Sequence, residues 1–494
     1  MGNNMRNSDL QSQDAETKYK DIISKSKPLR SGTPALYQVK PKQEIIENLT
    51  RLTIGERNLN KTNRTILLVG ETGAGKSALV NALFNYTMGV KFEDEIWFQI
   101  VEEKKESQVE SQTTDVIVYE IFGFETLPFS LTIIDTPGFG DTRGPEHDEE
   151  VAERLLDWFQ SEDGVHEVNA VGLVTKATDN RLTDHKINIV DSVMSLFGKN
   201  LQNKIVLLAT HSNGRKPKKA LRALEKAGIK CAKNEEDEAV HFKFDNCQEE
   251  ERTENTEYIK SVYQISENGF RELTMFLEKT APQKLMTTKK VLKERKKLTA
   301  SIQNLEERIK STELKQTEIK QIQEALKRDG NKNSVITVEV DEAYKVKKPY
   351  ESGGGHCTVC IGKCPASSHV KVNWIYETKT KKVQRIIEKP DKDNSESQRK
   401  MSTLESYEDQ LKQLTAEKMK FIDEAFQHIV RLHQIALRFN SRKTVGHLEF
   451  LIEKMEDKGD REKLRKLQEI KTQLVNRDQQ EKDKPAGEGE VSLT

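Results

Sequence analysis

The run Gly70-Glu71-Thr72-Gly73-Ala74-Gly75-Lys76-Ser77 constrains this chain more than any other stretch of it. It follows a short apolar run, 65–69, and precedes Leu79, Val80 and Leu83 at helical spacing. Strand, glycine-rich turn and helix form the setting in which Gly-x4-Gly-Lys-Ser cradles phosphate. The glycines let backbone amides face the anion, and the helix N-terminus adds the positive end of its dipole. Residues 70–78, Gly70 to Ala78, are therefore the predicted phosphate site. Lys76 should reach the β and γ phosphates, and Ser77 should ligate magnesium.

A magnesium nucleotide also needs a carboxylate beyond a second strand. Ile133-Ile134-Asp135-Thr136-Pro137-Gly138 supplies one in Asp135, acting through a metal-bound water, with the Gly138 amide meeting the γ phosphate. The following Phe139-Gly140-Asp141-Thr142-Arg143-Gly144 is then a segment that orders in the triphosphate state. Between the two motifs, Thr113 is the threonine expected to close over magnesium, with Thr114 next.

Around these motifs, short apolar runs at 65–69, 130–134, 169–174 and 204–208 alternate with amphipathic segments at 149–160 and 184–197. That alternation predicts parallel strands linked by helices, an α/β unit closing near residue 283. Downstream the period changes. Of eleven positions spaced alternately by three and four from Val291 to Leu326, seven are apolar; of eleven from Leu404 to Phe439, nine are. These heptad seams predict two helical arms of similar length, read as an antiparallel hairpin, with a parallel intermolecular coiled coil as the alternative. Between them, 334–344 and 370–378 are rich in β formers and flank a cysteine cluster.

The combination of Gly-Glu-Thr-Gly-Ala-Gly-Lys-Ser, Ser111-x-Thr113 and Asp135-Thr-Pro-Gly-Phe-Gly-Asp-Thr142 resembles the septin-like GTPases, especially the immunity-associated branch and its large fish relatives. The match covers about residues 60–280, and the cysteine cluster and Ile435-Ala436-Leu437-Arg438-Phe439-Asn440 also resemble the multi-part relatives. The resemblance implies a Ras-like P-loop G domain, binding of GTP or GDP with magnesium, and homo-oligomerisation through the nucleotide face. It places the base reader after the strand at 204–208, in Thr210-His211-Ser212-Asn213. The family has Asp at the last position, where two oxygens accept from guanine; Asn213 offers one acceptor. A further base contact is implied at Asp245-Asn246-Cys247, with Asn246 the chosen residue.

Hydrolysis is a separate matter. Phe139 follows Asp-x-x-Gly at the place where many small GTPases carry a water-positioning Gln. The expectation is slow GTP hydrolysis dependent on Lys76 and Thr113, promoted when a second G domain supplies a group such as Arg143 or His211. A non-hydrolysing scaffold and an ATPase are the alternatives.

Five cysteines include Cys357, Cys360 and Cys364 within eight residues, which with His369, or His356 in its place, could form a tetrahedral zinc site; reduced thiols packed in a small β knob are the other reading. Eighty basic and eighty acidic residues cancel, so net charge gives no reason to expect nucleic acid as partner. No stretch approaches the roughly 20 apolar residues of a membrane span. A cytoplasmic protein is expected, with unidentified protein partners on the coiled coil. Gly2 is placed for myristoylation, but Arg6 stands where that motif prefers Ser or Thr. The expected division is a mobile leader at 1–60, with a short helix near 44–52, then the G domain at 61–283 and a first arm at 284–330. A β-rich cysteine knob at 331–395, a second arm with the terminal helix at 396–477 and a disordered tail at 478–494 complete it.

Overall fold

The computed structural model describes residues 17–46, 49–101, 115–124, 126–139, 145–178, 184–226, 228–252, 256–329, 335–349, 374–388, 397–439 and 441–482. In chain order the first elements are α1 (Lys20–Ser24), β1 (Lys27–Arg30), β2 (Ala35–Gln38), β3 (Lys42–Ile46), β4 (Leu49–Ile54), β5 (Asn63–Gly70), α2 (Lys76–Met88), β6 (Ile96–Gln99), β7 (Ile117–Ile121) and β8 (Ser130–Asp135). There follow α3 (Pro145–Gln160), β9 (Glu167–Val168), β10 (Ala170–Lys176), α4 (Asp184–Ser195), β11 (Ile205–Thr210), α5 (Lys218–Lys226), β12 (His241–Lys243), α6 (Thr256–Lys279) and β13 (Gln283–Lys284).

An eight-stranded sheet runs in the order β12-β11-β10-β5-β8-β7-β4-β3. Its central pairs, β12·β11, β11·β10, β10·β5 and β5·β8, are parallel, and β7 is antiparallel to β8. This is the Ras-like α/β fold. Strand β5 is buried on both faces, and successive side chains divide between two cores as a pleat requires. Ile66 and Leu68 join Leu79, Leu83 and Phe270 on one face, whereas Leu67 and Val69 join Leu155, Phe159 and Val193 on the other. Burial of each such side chain contributes roughly 1.5–3 kcal/mol.

Over the described residues 17–46 and 49–60, the mobile leader and short helix expected there are corrected. Where a helix was expected near 44–52, β3 and β4 form an antiparallel hairpin, and β4 adds in parallel to β7. The β formers Thr50, Thr53 and Ile54 suit a strand at the sheet's flank, with Leu49 buried in one core and Leu52 and Ile54 packed against the other. Strands β1, β2 and β6 make a separate small sheet.

The remaining elements are α7 (Met286–Asp329), β14 (Val335–Pro349), β15 (Trp374–Glu388), α8 (Ser397–Ile435), α9 (Arg442–Lys458) and α10 (Arg461–Lys482). Two compact units result: Met1–Leu292 with Ile435–Arg442 and Gln473–Thr494, and Lys293–Gln434 with Lys443–Thr472. Within the second unit, Glu294 meets His428 at 2.6 Å and Arg308 meets Glu417 at 2.8 Å. Partner numbers fall as the first rise, so α7 and α8 run antiparallel. Strands β14 and β15 continue that geometry as a ribbon of 15 residues each, pairing Val335 with Glu388 and Pro349 with Trp374. The second strand thus runs ten residues beyond its predicted end. Helices α9 and α10 also pack here, with Lys458 and Lys463 both 2.7 Å from Asp423. Among the described residues no helix is long and apolar enough to cross a membrane.

Candidate functional site

The carboxyl ends of β5, β8, β10, β11 and β12 bring Lys76, Asp135, Thr210 and Asn246 together around one turn. The turn after β5 runs into α2 through Gly75, which has φ +90° and caps the helix in a left-handed conformation that glycine accepts without strain. Lys76, 6% exposed, folds back so that its ammonium donates to the carbonyls of Gly70 at 3.0 Å and Glu71 at 3.1 Å. Burial pulls its pKa down to about 8, against the opposing pull of the Asp135 and Glu71 carboxylates. A buried amine held on neutral carbonyls lacks a full counter-charge, which a phosphate would supply.

Asp135 is fully buried at the end of β8. The next residue, Thr136, donates through its hydroxyl to Leu68 O at 2.9 Å and so ties the two strand ends together. Gly138 passes so close to the P-loop that a Cβ there would lie 2.4 Å from Thr72 Cα. Phe139 completes the junction: its amide donates to Gly70 O at 3.1 Å, and its carbonyl accepts from Thr72 N at 3.4 Å. The ring is buried, 1% exposed, and points into the core. No side chain capable of orienting a water therefore stands at that position.

At the end of β11, Thr210 Oγ1 donates to Ala74 O at 2.7 Å, joining that strand to the P-loop across 136 positions of sequence. His211 is exposed, with φ +50°. Asn213 is exposed too, and its side-chain oxygen accepts from the Arg215 amide at 3.2 Å, closing a local turn. Asn246 reaches across to the P-loop and donates from Nδ2 to Gly75 O at 3.1 Å, while its Oδ1 is buried without a hydrogen-bond partner among the described residues.

Beside it sits a residue that sequence reasoning passed over. Asp245 Oδ2 is buried and likewise has no hydrogen-bond partner among the described residues. Burial raises the Asp245 carboxyl above its ordinary value, opposed by hydrogen bonds from Cys247. The Asp245 amide donates to Ser266 Oγ on α6 at 2.9 Å, which fixes the loop from behind. The signal was present as the acidic neighbour of Asn246, but only the fold shows a buried acceptor there. Thr72 Oγ1 and Thr175 Oγ1, at the ends of β5 and β10, are also buried without partners among the described residues. Such orphaned polar atoms are costly and suit a site that a polar ligand completes.

Thr113, Thr114 and Arg143 lie outside the described residues, as do His356, Cys357, Cys360, Cys364 and His369 of the zinc reading. Gly73 and Ala74 stand in the turn, and Ser77 and Ala78 in the first turn of α2.

The sequence pattern of the AIG1 family matches residues 64–269. Neuronal-specific septin-3 of Mus musculus is 36% identical over 109 residues, 21% of this chain and 29% of that protein. Septin-1 of Drosophila melanogaster is 37% identical over 78 residues, 16% of this chain and 19% of that protein. The chain thus spans less than a third of the length of these septins. Among solved structures, Toc33 from Arabidopsis thaliana in complex with Mg2+ and GMPPNP is similar at 16% identity and a TM-score of 0.31, covering 45% of this chain and 88% of that one. Residues 64–269 accordingly carry an AIG1 family domain, similar in sequence to the septin-like P-loop GTPases.

Proposed function

We propose that this chain binds GTP and GDP with magnesium, hydrolyses GTP slowly, and uses the nucleotide to control assembly through its G domain. The observation that carries this reading is Lys76, buried at the centre of the P-loop on two backbone carbonyls with Asp135 close enough to influence its charge. Ser77 and Asp135, with Thr113, would hold the metal. Bound magnesium would neutralise phosphate charge and orient the β and γ oxygens. The chain's own residues do the rest: the turn amides bind, Lys76 holds charge, and Thr210 and Asn246 keep the turn in shape.

Guanine is favoured over adenine by the loop after β12. Two acceptor oxygens without partners among the described residues, on Asp245 and Asn246, complement the adjacent N–H groups of guanine, whereas adenine would oppose an acceptor to one of them. On this reading Asp245 replaces the carboxylate that Asn213 lacks. The buried Phe139 ring supports slow turnover, with His211 of a second copy a group that could act across a G-domain pair. The same ring also supports a second reading, a non-hydrolysing scaffold acting through its helices.

Equilibrium binding of GTP, GDP, ATP and XTP to the full-length chain, with and without magnesium, tests the site. GTP and GDP should bind best, and Lys76→Ala should abolish binding with helicity unchanged. Asp245→Asn should reduce the preference for GTP over XTP by about 10–100-fold, the worth of one charge-assisted hydrogen bond. Equal affinity for ATP and GTP would sink the guanine reading. Single-turnover hydrolysis that stays undetectable at every protein concentration would leave the scaffold.

A further inference from the structure

The unit built around the nucleotide site contains a piece of chain from far downstream. Helix α8 stops at Ile435 and α9 begins at Arg442; the described residues between them belong to the first unit. Ala436 forms an antiparallel bridge with Gly198, and the Leu437 amide donates to Phe197 O at 2.8 Å. Arg438 is 2% exposed, with its Nε 3.0 Å from Asp191 Oδ1 on α4. A guanidinium and a carboxylate are both expensive to bury, so the pair makes a specific seat for one side chain. The nucleotide chemistry leaves this run, Ile435-Ala436-Leu437-Arg438-Phe439-Asn440, without a role.

What lies beneath the seat connects it to the phosphates. Leu437 packs on the hydrophobic cluster that contains Phe197, Val193 and Met194 of the α4 region, and the same cluster contains Phe139 and Val151 and Leu155 of α3. Phe139 is the residue whose backbone bonds to Gly70 and Thr72, directly after Gly138. Close-packed cores shift between discrete arrangements instead of deforming smoothly, so movement at Phe139 must be absorbed by its neighbours.

We propose that residues 435–439 form a strap whose docking opposes the triphosphate state, a proposal that rests on the nucleotide reading above. A γ phosphate draws the Gly138 amide toward itself and takes Phe139 with it. The cluster repacks under Phe197 and Gly198, and the strap loses its backbone anchors. Coupling is reciprocal: a docked strap lowers affinity for triphosphate relative to diphosphate, and an undocked one raises it.

Hydrogen exchange of the full-length chain, with GDP and with a non-hydrolysable GTP analogue under magnesium, tests the strap while binding of each nucleotide is measured on the same samples. Peptides spanning 435–442 and 196–199 should exchange about tenfold faster with the triphosphate, within the usual range of coupling between sites. Arg438→Glu and Asp191→Arg should each expose the strap in both states and shift the triphosphate-to-diphosphate affinity ratio upward by about fivefold or more. The double reversal should restore protection and ratio together, which a merely disrupted core would not do. Should either single variant fail to fold, the wild-type comparison decides alone. Equal protection with both nucleotides bound overturns the strap and leaves nucleotide binding standing; failure of both nucleotides to bind overturns both.

Discussion

Asn246 and Gly75, 171 positions apart, are locked together: the Asn246 carboxamide donates to the Gly75 carbonyl at 3.1 Å, and a Cβ on Gly75 would stand 2.5 Å from that same nitrogen. The loop after β12 and the glycine-rich turn before α2 are therefore one piece of structure. Gly75→Ala meets both this contact and a φ of +90°. It should cost about 1–3 kcal/mol of stability and weaken nucleotide binding, because backbone strain of this kind has no local relief. Asn246→Ala relieves the clash, so Gly75→Ala should be milder in the Asn246→Ala background. Thermal melts and nucleotide titrations of the three variants check this, and purely additive losses would refute the coupling.

Lys76 makes the site sensitive to alkali. Its pKa is pulled down to about 8 in the nucleotide-free fold, from an ordinary 10.5. Between those values the unfolded chain binds the proton and the folded one does not, so stability of the nucleotide-free protein should rise with pH across that window, by up to about 3 kcal/mol. Phosphate binding wants the charged amine. Nucleotide affinity should therefore fall about tenfold per pH unit above about 8, with proton uptake on binding. Calorimetry in two buffers of different ionisation enthalpy would register that uptake, and a flat affinity profile to pH 10 would contradict it.

In the second unit, burial lowers the His447 pKa to about 4, with Lys443 and Arg295 acting in the same direction. The sign is opposite to that of a histidine gaining an acid partner. Below about 6.5 the unfolded chain takes up a proton that the folded chain refuses, so stability is lost as pH falls from 6.5 toward 4. His447→Gln should flatten that part of the pH profile, measured by helicity on urea titration. An unchanged acid limb would place the sensitivity elsewhere.

The helical arms should owe their stability to their seam. Ile429 is fully buried in α8, and Ile429→Ala should cost about 2–5 kcal/mol. The Arg308–Glu417 pair links the same two helices but is 36% exposed on each side. Arg308→Ala should cost less than about 1 kcal/mol. Urea denaturation of both variants gives the comparison, and a larger loss at Arg308 would reverse this account.

How much of this was legible beforehand follows from the range of the interactions. The P-loop and the Asp135 strand could be read because their signals are local: a glycine pattern between a strand and a helix, and a carboxylate at a strand end. The heptad seams were legible for the same reason, since a helix repeats its face within a few residues. The leader was misread because β4 takes its stability from pairing with β7, a partner over 60 positions away that local pattern does not announce, and β3 in turn pairs with β4. The heptad pattern runs on through Phe439, yet α8 stops at Ile435 and Phe439 is buried elsewhere. There a backbone bridge to Gly198 and an ion pair to Asp191 outweigh continued helix.

Sequence alone determined that this chain places a glycine-rich turn, a lysine and a carboxylate at the ends of parallel strands. Tertiary structure decided which oxygens are left buried beside them, at Asp245 and Asn246, and which distant segment lies on the core behind Phe139. The reason is physical: glycine conformations and helical periods are properties of a few consecutive residues, whereas burial and an unmet hydrogen bond exist only once separate parts of the chain close around the same space.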